Sequence, residues 1–346
     1  MKFERKIVYP QSTAMPKLPL NYDDAKDFFE DGVRVTTKDV EQYKLTNVFV
    51  GATGVIYTPF QVLSESIVDE KHHGNYSPKA AVKDFLKGRI KLLPNENYLH
   101  VFDHWSANNH YHFHADLLPK LTLFTPQELA GLVLLLPDSF YSRKVAPELL
   151  KLFNFKPKAI EYIHYRDSNR GKVFVRNCLF IPKLTESHEN HTILIEKLKQ
   201  TLQPAQEENS PKRVYLKRED TSFRILLNAK EVESVLESFG FTPVPFDNLP
   251  LKDQIRTVAN ADILLGMHGA GLTNVLYMRK DSHLVEFRRD GKHFGHLYWH
   301  MASAAGVNYS AVFGEPDNPN LALEGIGCNL SLDVEHLKRV LERICK

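Results

Sequence analysis

The sequence predicts an α/β protein whose two domains face a cleft, and three observations carry that prediction. From Arg213 onward, short apolar strands alternate with helical segments of about a dozen residues, the signature of a parallel sheet with right-handed crossovers. A polar, proline-punctuated stretch, Lys199 to Lys212 (KQTLQPAQEENSPK), interrupts the hydrophobic pattern. The length of 346 residues fits two domains better than one.

The elements of the second half follow in order. Arg213–Lys217 (RVYLK) reads as a strand. Val232, Val235, Leu236 and Phe239 recur at i, i+3, i+4 and i+7, which makes 228–239 a helix. Asn228 and Glu231 form its capping pair, and Gly240 ends it. Phe241–Phe246 is a second strand, Leu251–Asn260 a second helix and Asp262–Leu265 a third strand. The glycine-rich loop GMHGAGLTN and a short helix lead to a strand at His283–Phe287. This half is Rossmann-like. In the first half, Val48–Tyr57, Asn97–Phe102 and Leu132–Leu136 read as strands, and Pro78–Lys87 and Thr192–Leu202 as helices. The expected division is residues 1–205, residues 206–330, and an amphipathic helix within 331–346 that packs back on the N-terminal domain.

Composition excludes several classes. Hydrophobic residues are 43% and charged residues 25%, as in a globular protein rather than a disordered, collagen-like or coiled-coil chain. With 44 Lys+Arg against 42 Asp+Glu the formal charge is only +2, too small for a long-range pull on nucleic acid or anionic lipid. Three cysteines, Cys178, Cys328 and Cys345, form neither an even framework nor a C-x-x-C pair, which fits a reducing compartment and no thiolate zinc site. No secretory h-region opens the chain. The longest apolar run, Leu129–Leu136, is too short to cross a bilayer and reads as a buried strand or core segment. The expectation is a soluble cytoplasmic protein, free or peripheral at the inner membrane.

Four segments carry candidate chemistry. In the first, Gly266, Gly269 and Gly271 permit close backbone approach. The N–H groups that open the following helix, around His268, Gly269, Ala270, Gly271, Thr273 and Asn274, can receive an anion. This G-x-x-G-x-G spacing is neither a dinucleotide fingerprint nor a P-loop, so a purely structural turn is the equal alternative. Glu286, at the end of HLVEF, is placed to hold two ribose hydroxyls or else to pair with Arg288 or Arg289. Arg218 and Arg224, ahead of Asn228, suit a diphosphate by paired charge-assisted hydrogen bonds, against a mixed-charge surface loop as the alternative. The fourth segment runs from His104 through His110, His112 and His114 to Asp116 and Pro119. On a helix, His112 and Asp116 share one face while His110 and His114 share a nearly opposite one. That makes a three-histidine metal site poor and a His–Asp general base credible.

Together these blocks resemble glycosyltransferase family 61, the group that includes capsular polysaccharide biosynthesis proteins. Tyr111-His112-Phe113 with Asp116-Leu117-Leu118-Pro119 is similar to the family's Y-H-(F/W)-x-x-(D/E)-x-L-P. Arg218 through Arg224-Ile225-Leu226-Leu227-Asn228 is the second block. Gln254 leading into Gly266 through Asn274 is the third. Val285-Glu286-Phe287, Tyr298-Trp299, Ala302, Gly306 and Tyr309 complete the likeness. The likeness covers roughly residues 97–312, and Ala229 departs from the acid that usually follows the Asn. The resemblance implies a GT-B fold of two Rossmann-like domains, a nucleotide-sugar donor in the C-terminal domain and a glycan acceptor, free or lipid-linked, near the N-terminal one. It implies inverting transfer, with surface polysaccharide biosynthesis as the setting.

The residues agree on separate grounds. No D-x-D occurs to hold a divalent ion on a diphosphate, so metal-independent catalysis is expected, with helix N–H groups and Arg neutralising the leaving group. No cofactor beyond the donor is expected. Asp116 is the first choice for the base, with His112 its alternative and His104 or Asp103 behind them. A nucleotide-binding oxidoreductase is a rival that lacks a G-x-G-x-x-G. A non-catalytic sugar-nucleotide binder would carry the same binding residues, and metal analysis would expose a metallohydrolase.

Overall fold

The computed structural model describes residues 3–68, 77–164, 171–185, 191–202, 210–218, 224–247, 249–289, 295–318 and 328–345. It is a mixed α/β structure that divides into two compact units. One comprises Met1–Ser12 with Thr36–Glu186, the other Thr13–Val35 with Ser187–Lys346.

The first unit holds an eight-stranded mixed sheet. Its strands are β1 (Phe3–Tyr9), β2 (Val40–Gly51), β3 (Ile56–Tyr57), β4 (Lys91–Leu92), β5 (Asn97–His100), β6 (Val133–Pro137), β7 (Ala159–Ile163) and β8 (Lys172–Phe180). The order is β1-β2-β8-β5-β6-β7, with β3 on β2 and β4 on β8. From β8 to β7 the pairing is parallel, and β1 and β2 add an antiparallel margin. The expected strand Val48–Tyr57 is a hairpin, because Gly51-Ala52-Thr53-Gly54 turns the chain. Gly54 sits at φ +88, and a Cβ there would lie 2.9 Å from the Asp103 Cα. Only glycine meets both demands. The run Leu129–Leu136 splits between a helix, Pro126–Ala130, and β6, with Gly131 at the break.

The second unit is a six-stranded sheet of β9 (Arg213–Lys217), β10 (Thr242–Pro245), β11 (Ile263–Met267), β12 (His283–Arg289), β13 (Asn308–Pro316) and β14 (Leu330–Leu332). Its order is β10-β9-β11-β12-β13-β14, parallel except for β14. The helix Ala229–Ser238 buries Val232, Val235 and Leu236, the face its spacing predicts, and Gly240 follows at φ +73. The C-terminal helix, Val334–Ile344, starts where Asp333 accepts from the backbone N–H of Glu335 and His336.

The division differs from the one read off the sequence. Helix Thr192–Thr201 belongs to the second unit, where Lys199 Nζ donates to the carbonyls of Leu276 and Met278. The division expected at 205/206 falls instead at Glu186/Ser187, and residues 203–209 of the polar stretch lie outside the described set. Residues 13–35 join the same unit by satisfying its polar groups. Trp299 Nε1 donates to the Lys17 carbonyl, and the Asn21 amide both donates to and accepts from the Ala311 backbone. The C-terminal helix packs there too: Leu337, Val340 and Leu341 share a cluster with Val232, Leu236 and Val285. Sequence distance hid these partners. Among the described residues no helix is long and apolar enough to cross a membrane.

Candidate active site

In the second unit β9 is flanked by β10 on one side and β11 on the other, so the connections leaving β9 and β11 diverge. A divergence of this kind at the carboxyl ends of parallel strands opens a crevice, the usual ligand position in an open α/β sheet. Arg218 follows β9, and His268–Gly271 follows β11. A Cβ on Gly269 would lie 3.4 Å from Arg218 Nη1 and 3.8 Å from Arg224 Nη1, so both guanidinium groups rest against this one residue. Arg224 adopts φ +57, a left-handed conformation costly for a long side chain and typical of strained functional positions. A pocket of about 280 Å³ is lined there by Lys217, Arg218, Arg224, Ala229 and Met267. Glu219 and Asp220, between the two Arg, lie outside the described residues.

Glu286 takes a different place from the one expected. It is 0% exposed and both its oxygens are engaged: Oε1 pairs with His268 Nδ1, and Oε2 accepts from the Tyr309 hydroxyl at 2.6 Å, with Arg288 Nη1 3.8 Å away. A carboxylate filled in this way orients a histidine and does not receive ribose hydroxyls. Burial alone would raise its pKa, but Arg288, His268 and Tyr309 outweigh burial and hold it at about 2. Burial lowers the His268 pKa against the pull of Glu286. The Tyr298 ring packs edge-on against His268.

Three further expected ligands are structural. The Asn228 amide donates to the Leu332 carbonyl at 2.9 Å and accepts from the Leu332 N–H at 3.0 Å, tying β14 to the helix start. Its link to Glu231 is long, at 3.4 Å, and its side chain makes no N-cap bond. Asn274 and Thr273 are fully buried, and Asn274 Nδ2 donates to Gln254 Oε1 and the Gly271 carbonyl. Gln254, whose amide also reaches the carbonyls of Phe246 and Leu249, thus braces the loop. Ala270 and Gly271, partly exposed, open the 3₁₀ helix Ala270–Tyr277, whose first N–H groups lack intrahelical acceptors.

In the first unit, residues 110–121 form one helical run with a π turn at Phe113–Leu117. The Asn109 side chain caps it, and the helix continues through Pro119 rather than stopping before it. A π turn ahead of a residue without an N–H accommodates the break in the hydrogen-bond ladder, and such turns mark functional segments. Asp116 lies in that turn. His112 Nδ1 bonds Asp116 Oδ2 at 2.7 Å, with His112 19% exposed and Asp116 2%. The ring of Trp105 packs against His112, with centroids 4.9 Å apart, and Lys183 Nζ stands 4.3 Å over Trp105. Of the two residues, His112 is the more exposed, and Asp116 Oδ2 engages its Nδ1 and leaves Nε2 as the other ring nitrogen.

Asp103 is buried as well. Its Oδ1 accepts from the N–H groups of Trp105 and Ser106, which excludes it as a base that an acceptor reaches. His110 and His114 pack against each other elsewhere, with centroids 4.3 Å apart and ring planes tilted by 44°; His110 Nδ1 bonds the Tyr141 hydroxyl, and His114 Nδ1 donates to the His110 carbonyl. Trp105, which packs on His112, and Lys120, one turn after Asp116, are not among the residues the sequence singles out. The spacing of Lys120 four residues after Asp116 was the available signal.

Residues 110–285, just over half of the chain, match the family described as Glycosyltransferase 61. This chain belongs to glycosyltransferase family 61. The family segment opens at the helix carrying His112 and Asp116, contains Arg218, Arg224 and His268–Asn274, and closes one residue before Glu286. The chain is also similar to EGF domain-specific O-linked N-acetylglucosamine transferases. With that of Drosophila melanogaster it shares 40% identity over 67 residues, 18% of this chain and 13% of the relative. With that of Bos taurus it shares 30% over 136 residues, 36% and 25% of the two chains. With that of Xenopus laevis it shares 28% over 163 residues, 43% and 30%. The matches thus span less than a third of these relatives' length.

Proposed function

We propose that this family 61 member is an inverting, metal-independent glycosyltransferase of the GT-B type, built from two Rossmann-like domains, which moves a sugar from a nucleotide-sugar donor to an acceptor hydroxyl. The observation that carries the reading is the pair of guanidinium groups resting on Gly269 at the diverging ends of β9 and β11. Two arginines and the helix-opening N–H groups of Ala270 and Gly271 together neutralise a diphosphate, the charge that develops as a sugar nucleotide breaks. His268, set by Glu286, completes that wall of the site.

The reaction needs one base. His112 Nε2 takes the proton of the acceptor hydroxyl as its oxygen forms the new bond to the anomeric carbon. The bond from that carbon to the diphosphate breaks on the opposite face, and the diphosphate leaves with the electron pair. Asp116 holds the Nδ1–H tautomer and balances the imidazolium charge, as the aspartate of a catalytic triad does. Among the described residues no group of three or more His, Cys, Asp or Glu is arranged to hold a metal. The cation in this proposal is arginine.

The acceptor is a glycan of surface polysaccharide biosynthesis, as the family resemblance implies. The names of the relatives make an N-acetylglucosamine donor the first to try and an EGF domain the comparison acceptor. The test screens nucleotide sugars by thermal shift and then follows product formation from the labelled donor. No shift with any sugar nucleotide or nucleoside diphosphate would refute the donor pocket. A shift without transfer to either acceptor class would leave a binding protein on this fold.

A further inference from the structure

His112, Asp116 and Lys120 recur every four residues along one helical run, so they fall on one face. Lys120 is 1% exposed, an unusual place for an ammonium, and its Nζ donates to the Val101 carbonyl at 2.8 Å. That single bond leaves its charge to be balanced through space. The carboxylates placed to do so are Asp116, one turn back on the same helical face, and Asp103, two residues from the Val101 carbonyl, and both are buried. Burial lowers the proton affinity of Lys120, while Asp103 and Asp116 both act to restore it. Asp103 shows the same link from the other side. Burial would raise its pKa, yet Lys120, the Ser106 hydrogen bond, Lys183 and His112 together hold it below the usual carboxylate range. Asp103 Oδ2 has no hydrogen-bond partner among the described residues, so Lys120 meets this carboxylate as a charge and not as a donor.

The charge count follows. Two enclosed carboxylates share one enclosed ammonium, a net −1 beside the His112 ring, with the partly exposed Lys183 acting on Asp103 and Lys120 as a second, outer cation. We propose that Lys120 is the positioning residue of the His112–Asp116 pair, its buried ammonium shared between Asp103 and Asp116 so that Asp116 stays fixed on His112 Nδ1. Without the ammonium the enclosed charge is −2. Like charges held together in low dielectric bind a proton. Either Asp116 takes it and stops accepting from Nδ1, or His112 takes it and is no longer a base. The inference rests on the proposed role of His112 only for its consequence in turnover, not for its geometry.

The test reads the imidazole directly, by ¹⁵N NMR of the histidine-labelled full chain without donor or acceptor. The His112 signals are those missing from His112→Gln. For the wild type the proposal requires the pattern of an Nδ1–H with a bare Nε2. Lys120→Met should abolish that pattern, giving an imidazolium or a tautomer mixture. The double variant Lys120→Met with Asp103→Asn returns the enclosed charge to −1 and should restore the wild-type pattern. In turnover, Lys120→Met should lose tenfold or more of the roughly 10²–10⁴-fold contribution of a base, with nucleoside diphosphate affinity unchanged, and the double variant should recover part of it. An unaltered imidazole pattern in Lys120→Met would overturn the proposal. So would a double variant no closer to wild type than the single one, because simple packing losses add. If Lys120→Met alone does not fold, the double variant carries the comparison, and its failure to fold or to show the Nδ1–H pattern also overturns it. A protein that transfers no sugar would refute the proposed function and leave this test standing.

Discussion

Gly269 offers the sharpest test of the donor pocket. Its φ of 162° is extended backbone that any residue adopts, so a substitution there costs no backbone strain. The cost is all in the guanidinium groups. An added Cβ meets Arg218 Nη1 at 3.4 Å and Arg224 Nη1 at 3.8 Å, contacts that the far ends of flexible side chains relieve by a few tenths of an ångström. Gly269→Ala should therefore keep nucleoside diphosphate affinity within a few-fold. Gly269→Val adds two methyl groups in the space the guanidinium groups occupy and must turn them away. A hydrogen bond to a charged group is worth about 1.5–3 kcal/mol, so losing one from each arginine costs about 3–6 kcal/mol. That is a loss of roughly 10²–10⁴ in Kd. Isothermal titration with UDP, then with ADP, GDP and CDP, measures it, and thermal unfolding of the unliganded variants confirms the fold. Equal affinity in the Val variant and the wild type would refute the idea that both arginines and this loop hold the diphosphate.

Other outcomes follow from the same geometry. His112→Ala should lower kcat by about 10²–10⁴-fold with donor affinity unchanged, and Asp116→Asn should be less damaging; the reverse order would return the base to Asp116. Glu286→Ala strands Arg288 and His268 in the interior and should destabilise the protein by about 3–5 kcal/mol in urea unfolding, whereas Tyr309→Phe should cost no more than about 1.5–3 kcal/mol. Excess chelator should leave transfer intact, and a loss restored by manganese would contradict the metal-free reading. Burial holds His100, His114, His191, His283 and His300 each near pH 4, against an ordinary 6.5. Below 6.5 the unfolded chain binds more protons than the folded one, so this stability is present above 6.5 and drains away as pH falls towards 4. Glu286, held at about 2 against an ordinary 4.5, adds a further loss that is complete only near pH 2. Urea midpoints at pH 7.5, 5.5 and 4.5 test the histidine window, and a flat response would show that these rings are not neutral in the folded state.

The parallel sheet of the second unit was legible because its strands and helices are local. Arg213–Lys217, the helix after Asn228 and the strand from His283 stand where apolar periodicity and glycine stops put them. Strands β1, β7 and β8 were not legible, since their pairing joins residues far apart. Phe3 faces Leu45, and Cys178 lies between Leu45 and Tyr98. At the site, the His112–Asp116 pair was readable because a helix brings i and i+4 together whatever surrounds it.

The sequence by itself determined which residue types were at hand: glycines that let backbone and arginine approach, a histidine one turn from a carboxylate, and no D-x-D to hold a metal. Only the tertiary structure decided which of them are already engaged by partners within the protein. Glu286 and Asn228 look like ligands in one dimension, yet the first is filled by His268 and Tyr309 and the second by the backbone of Leu332, partners 18, 23 and 104 residues away. Thr13–Val35 joined the second unit for the same reason. Hydrogen-bond capacity and charge are local properties of a residue, but how they are spent is settled by burial, which the folded chain alone determines.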